Sequence, residues 1–350
     1  MKKIFNLIII NLLIVIAIVL IINFYFLTNY KNIISQEKEF DRYYIYHLDK
    51  FYQKFHADTF YNLEEDYVAV LGDSYAAGDG DAWTSRKYNF SSLHFLKKLT
   101  NENFLNFGVA GSGTFVQVKE YLIVQNMLKK FPHKIKSKPK KIFFFFYEGN
   151  DIKDNVNTKF IFNEDETFSL KRILKIYFPI IDMFKNVFMD RFIHYYLHFK
   201  KKKDSNNQDK HTHKIIKIPS HIFDLNIEKI DQGLFYFFKN ILYLKSEANV
   251  PIEIFYIPSP ATVLDVDYLI ENYKISEYNK LLNDLNSKKI IERIELFAFK
   301  NNIKFSNLTK EFKSSKSQIN FYGKGDSNHL SEYGYEMLAK FIYKTYESNR

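Results

Sequence analysis

A serine hydroxyl becomes a nucleophile only when a base takes its proton, and that base is useful only when a third group holds it in place. This chain carries such pieces at two distant places. Gly72-Asp73-Ser74 ends the apolar run Tyr67 to Leu71 and is followed by the small residues Ala76, Ala77, Gly78 and Gly80, so that a substrate carbonyl could approach Ser74 closely. Near the carboxyl end, Asp326 and His329 stand three residues apart on a loop bounded by Gly325 and Gly334. That spacing lets a carboxylate reach the imidazole within one turn and leave its far nitrogen facing the serine. Acyl transfer also needs N–H donors aimed at the developing oxyanion. Two further stretches offer them: Asn106 to Thr114, whose glycines permit a backbone N–H to face a crevice, Gly111 foremost, and Glu148-Gly149-Asn150-Asp151, where Asn150 brings a side-chain amide. Each stretch taken alone also reads as an ordinary turn or helix cap, because Gly, Asn, Asp and Ser are turn and cap residues.

The elements that must position these groups are legible as an alternation. Strands are expected at Val68 to Leu71, Phe104 to Phe107, Ile142 to Tyr147, Ile252 to Ile257 and Ile303 to Phe305, with helices over Ser91 to Leu99, Phe115 to Leu128, Leu234 to Leu244, Tyr278 to Lys300 and Glu332 to Tyr346. Strands alternating with helices predict an α/β fold with a parallel sheet covered on both faces. The run Phe143 to Tyr147 is continuous and bulky, as a strand buried on both sides must be. Each candidate site residue then falls on a loop after a strand or just before the last helix, where open α/β sheets form their crevices. A nucleotide site at Gly78-Asp79-Gly80 is not expected, since no Gly-x-Gly-x-x-Gly follows the strand.

Four short blocks in the order Ser, Gly, Asn, then Asp-x-x-His resemble the SGNH hydrolases, the GDSL esterase and lipase family. Gly72-Asp73-Ser74 matches the first block, Asn106 through Gly111 the second, Gly149-Asn150-Asp151 the third and Asp326 through His329 the last. The likeness runs from Val68 to about Tyr346, and it departs from the usual pattern at Tyr75, where a leucine is customary. It implies a three-layer α/β/α sandwich with a flavodoxin-like parallel sheet. It implies Ser74 as nucleophile, His329 as base and then acid, and Asp326 as its orienter. The oxyanion would be met by the N–H groups of Ser74 and Gly111 and by the Asn150 amide. Asp73 and Asp151 are expected to support loops. No cofactor or metal is expected: His211 and His213 stand in a lysine-rich stretch without a carboxylate cluster.

The chain of 350 residues carries a formal charge of +10, gathered in the lysine runs Lys129 to Lys141 and Lys200 to Lys217, and has no cysteine. Thiolate chemistry and disulfides are thereby excluded. No nucleic-acid-binding signature accompanies the lysines, so they are expected on solvated loops. Lys2 and Lys3 precede Ile4 to Leu27, an apolar stretch broken by Asn6, Asn11 and Asn23 and long enough to cross a bilayer core of about 30 Å. The organisation expected is a transmembrane anchor over 1–28, a juxtamembrane helix or linker over 29–65, and a hydrolase-like domain over 66–350 with an insert at about 152–232. Positive-inside reasoning puts the amino terminus in the cytoplasm and the body in the periplasm or outside the cell. The expected function is a membrane-anchored serine esterase acting on an acyl ester, with an envelope glycan or a lipid as its partner. The rivals are an acyltransferase using the same acyl-serine and a binding module without catalysis.

Overall fold

The computed structural model describes residues 66–80, 91–130, 138–158, 219–315, 318–323 and 328–347. All of them belong to one compact unit, Gln53–Glu164 with His213–Arg350. In chain order the elements are β1 (Tyr67–Gly72), α1 (Ser74–Ala77), α2 (Ser92–Thr100), β2 (Phe104–Asn106), α3 (Thr114–Lys130), β3 (Pro139–Tyr147), α4 (Asp151–Thr158), α5 (Ile227–Ala248), β4 (Ile252–Ile257), α6 (Pro260–Val263), α7 (Val266–Tyr273), α8 (Glu277–Lys300), β5 (Lys304–Asn307), α9 (Thr309–Ser314), a 3-10 turn (Gln318–Phe321) and α10 (Glu332–Glu347). The five strands form one sheet in the order β2-β1-β3-β4-β5, and every neighbouring pair is parallel.

Side-chain alternation builds two cores from this one sheet. Ile142, Phe144 and Phe146 of β3 face one layer with Ala69, Leu71, Ile254 and Tyr256, where Phe237 and Ile241 of α5 and Ile290 and Ile294 of α8 cover them. Phe143, Phe145 and Tyr147 face the other with Val68, Val70, Phe255 and Ile257, under Leu93 and Leu96 of α2 and Leu338 and Ile342 of α10. The phenylalanine run thus needs no polar face. The expected strands and long helices are present, and α5 begins at Ile227, seven residues before the apolar periodicity starts at Leu234, because Asn226 caps it by accepting from the Lys229 N–H at 2.9 Å. Ile152, Ile222, Leu225 and Ile230, from the two ends of the stretch expected as an insert, are buried in the first core. The remainder of that insert, the lysine-rich loop with His211 and His213, the apolar stretch Ile4 to Leu27 and the linker to residue 65 lie outside the described residues. Among the described residues no helix is long and apolar enough to cross a membrane.

This strand order reverses direction between β1 and β3: from β1 the chain moves outward to β2, then returns past β1 to β3 and continues the other way. The loops leaving β1 and β3 diverge at such a reversal, which is where open α/β sheets form their crevice, at the carboxyl ends of the strands.

Candidate active site

Ser74 is delivered into that crevice by a turn that little else could make. Gly72 adopts φ +150°, and a Cβ there would lie 2.8 Å from the Phe145 carbonyl oxygen and 2.9 Å from the Ala76 Cβ. The chain turns at once into α1, whose N-cap is Asp73: its carboxylate accepts from the Tyr75 N–H at 3.0 Å. Ser74 opens this single helical turn and is 4% exposed. Its Oγ stands 3.0 Å from His329 Nε2, across a sequence separation of 255 residues. The same hydroxyl lies 3.1 Å from Asp73 Oδ2, to which it can also donate.

His329 is held by the short chain that precedes α10. Its carbonyl accepts from the Gly323 N–H at 3.1 Å, and the Ser331 N–H donates to the Phe321 carbonyl at 2.7 Å. Between them Tyr322 and Leu330 form an antiparallel bridge. Gly80 packs beneath: a Cβ there would lie 2.5 Å from the Leu330 carbonyl oxygen and 3.3 Å from the His329 Cβ. Asp326 lies outside the described residues.

The loops after β2 and β3 flank the serine. Pairing continues past β2, with the Phe107 N–H donating to the Val70 carbonyl at 2.7 Å and the Val109 N–H to the Gly72 carbonyl at 2.9 Å, which draws the second loop alongside the turn. Gly111 sits on it in the left-handed region at φ +63°, with nothing within 4 Å of where a Cβ would be. The Thr114 N–H donates to Asn155 Oδ1 at 2.8 Å, tying this loop to α4. Asn150 closes the turn after β3, and its amide donates to Asp154 Oδ2 at 3.0 Å.

Two further carboxyls, Asp151 and Asp154, lie close enough to Asp73 for their charges to interact. Burial raises Asp73 above the ordinary carboxylate range, against hydrogen bonds from Tyr75, Asn150 and Ser74 and the charge of His329. Burial and then the charge of Asp73 hold Asp151 well above it. Asp154, less enclosed, is pushed up to about 6 by burial first and the charge of Asp73 second. Despite this crowding, the described residues contain no group of three or more His, Asp or Glu side chains arranged to hold a metal ion.

Of the residues singled out in the sequence, Ser74 and His329 meet, and Asn150 and Gly111 stand on the two loops beside them. Asp73 caps α1, and its carboxyl also touches the serine hydroxyl. No motif marks Asp154, or the pairing of Tyr75 with Tyr147, whose hydroxyls lie 2.8 Å and 3.3 Å from the Asn328 carbonyl oxygen. The signal that pointed to Tyr75 was its departure from the customary leucine.

No family model matches this chain, and no curated protein does. Solved structures with a similar layout include a protein of the lipolytic G-D-S-L family from Desulfitobacterium hafniense DCB-2, 11% identical over 79% of this chain and 98% of the other, with a TM-score of 0.36. A lipase/acylhydrolase from Enterococcus faecalis is 14% identical over 81% and 96%, with a TM-score of 0.37. A carbohydrate esterase is 9% identical over 81% and 65%, also with a TM-score of 0.37. These likenesses concern the course of the chain and assign it no chemistry.

Proposed function

We propose that this chain is a serine hydrolase of the SGNH type that cleaves an acyl ester through an acyl-serine intermediate. The observation that carries the reading is the 3.0 Å approach of Ser74 Oγ to His329 Nε2 at the point where the sheet reverses direction. Ser74 Oγ attacks the ester carbonyl while its proton passes to His329 Nε2. The tetrahedral oxyanion is met by the N–H groups of Ser74 and Gly111 and by Asn150. Asp154 accepts one N–H of that amide, which leaves the other to meet the oxyanion. Collapse expels the alcohol with the proton from His329, and water then repeats the sequence in reverse to release the acid. Asp326, three residues before His329, orients the imidazole.

Ile4 to Leu27 tethers this unit to a membrane with the body outside the cytoplasm; its length and the preceding Lys2 and Lys3 support that placement. Such a location suits acyl groups on envelope glycans or lipids as substrates. The test is labelling by a fluorophosphonate probe, with p-nitrophenyl esters as reporter substrates. Labelling that disappears in Ser74→Ala supports the reading, and equal labelling of both proteins refutes it. Transfer of the acyl group to an added glycan instead of release of free acid would make the enzyme an acyltransferase.

A further inference from the structure

We propose that Tyr75 and Tyr147 form a two-hydroxyl clamp on the Asn328 carbonyl and thereby set where the His329 imidazole stands relative to Ser74. They are positioning residues, and the proposal rests on the hydrolase reading of the same site. Tyr75 follows the nucleophile directly, and its side chain turns inward, fully buried. Its ring stacks on that of Tyr147 with centroids 3.8 Å apart and planes 22° apart, which brings two hydroxyls side by side. Tyr75 donates to the Asn328 carbonyl oxygen at 2.8 Å across 253 residues of chain, and Tyr147 donates to the same oxygen at 3.3 Å. A carbonyl oxygen has two lone pairs, so one acceptor serves both.

The consequence is a common reference for nucleophile and base. The backbone on the carboxyl side of His329 is fixed by the Gly323 bond and the Tyr322–Leu330 bridge. On its amino side the residue before it is held by the residue after the serine. Ser74 and the peptide carrying His329 are thus tied through the helical turn that leaves β1 and the end of β3, and β1 and β3 are themselves paired in register, Gly72 opposite Phe145. A leucine at position 75 would fill space but supply no donor. Hydrogen-bond geometry between a nucleophile and its base is unforgiving, since a displacement of about 1 Å can cost about a hundredfold in rate.

The experiment uses the full chain with Tyr75→Phe, Tyr147→Phe and both together; phenylalanine keeps the ring stack and removes only the hydroxyl. For Tyr75→Phe, kcat on a p-nitrophenyl ester and the rate of fluorophosphonate labelling should both fall about tenfold, with KM within about twofold of the parent. Tyr147→Phe should lose less, its bond being longer. The double variant should lose more than the product of the two, because each hydroxyl covers for the other on one acceptor. The His329 ring signals in a ¹H–¹⁵N spectrum, identified by their absence in His329→Ala, should shift in Tyr75→Phe. Unchanged kcat and ring signals in Tyr75→Phe would overturn the clamp, as would a loss confined to KM or matching a loss of folded protein. Should Tyr75→Phe fail to fold, Tyr147→Phe decides on the same readouts. A parent chain that takes no probe defeats the hydrolase reading instead, and the ring signals then decide the clamp separately.

Discussion

At the scale of single residues, the site is a set of hydrogen-bonding choices forced by burial. Ser74 has one proton and two acceptors within reach, His329 Nε2 at 3.0 Å and Asp73 Oδ2 at 3.1 Å. The imidazole is the acceptor that can carry the proton onward to a leaving alcohol. Ser74→Ala and His329→Ala are each expected to lower ester turnover by about three orders of magnitude or more, measured as kcat/KM. Asn150→Ala removes one oxyanion donor, and a loss of about a hundredfold in kcat is expected. Full activity in that variant would remove Asn150 from the oxyanion site. Asp154 makes a prediction of a different kind. Its carboxyl is raised from 3.8 to about 6, so the folded protein holds a proton there that the unfolded chain has released. Its contribution to stability is complete below the unfolded value and is lost as pH rises through about 4 to 6. Melting temperatures of Asp154→Asn should therefore vary less with pH over that window than those of the parent. Parallel curves for the two proteins would show that Asp154 does not titrate there.

At the scale of elements, the turn that carries Asn150 is anchored by the residue that opens it. Glu148, fully buried at the end of β3, accepts from the Tyr256 hydroxyl at 2.7 Å, the Ser259 N–H at 2.6 Å and the Thr262 hydroxyl at 2.6 Å. Asn283 of α8 extends the network by donating to Thr262 Oγ1 at 2.7 Å and accepting from the Ile222 N–H at 2.9 Å. One carboxyl thus joins β3, β4, α6 and, through them, α8. Glu148→Ala would leave three buried donors without their acceptor, at a cost of about 1–3 kcal/mol each. The expected result is a chain that unfolds at clearly lower urea concentration, with Glu148→Gln intermediate; an unchanged midpoint for the alanine variant would show that the network relaxes without loss. The core of β3 gives a simpler expectation. Phe144 is fully buried against Phe237, with ring centroids 5.6 Å apart, and Phe144→Ala should cost about 3–5 kcal/mol in urea unfolding.

At the scale of the whole molecule, the expected tether can be tested directly. The full chain should stay with membranes through carbonate extraction, whereas a chain lacking residues 1–28 should be released; equal release of both would remove the anchor. What the sequence determined by itself was what local chemistry can specify. The period-two faces of Phe143 to Tyr147, the glycine that stops β1 and the alternation of strand and helix all express rules acting over a few residues, and they sufficed for an α/β sheet and for Ser74 and His329 as the pair to watch. Where the order 2-1-3-4-5 reverses, and hence where the crevice opens, depended on pairings between segments far apart in the chain. The grouping of Asp73, Asp151 and Asp154 came from the same source, since each acid is an ordinary loop or first-turn residue until folding brings them together. So did the approach of Tyr75 and Tyr147 to the Asn328 carbonyl. A motif records which groups are supplied; only packing decides which of their lone pairs and protons find water and which find one another.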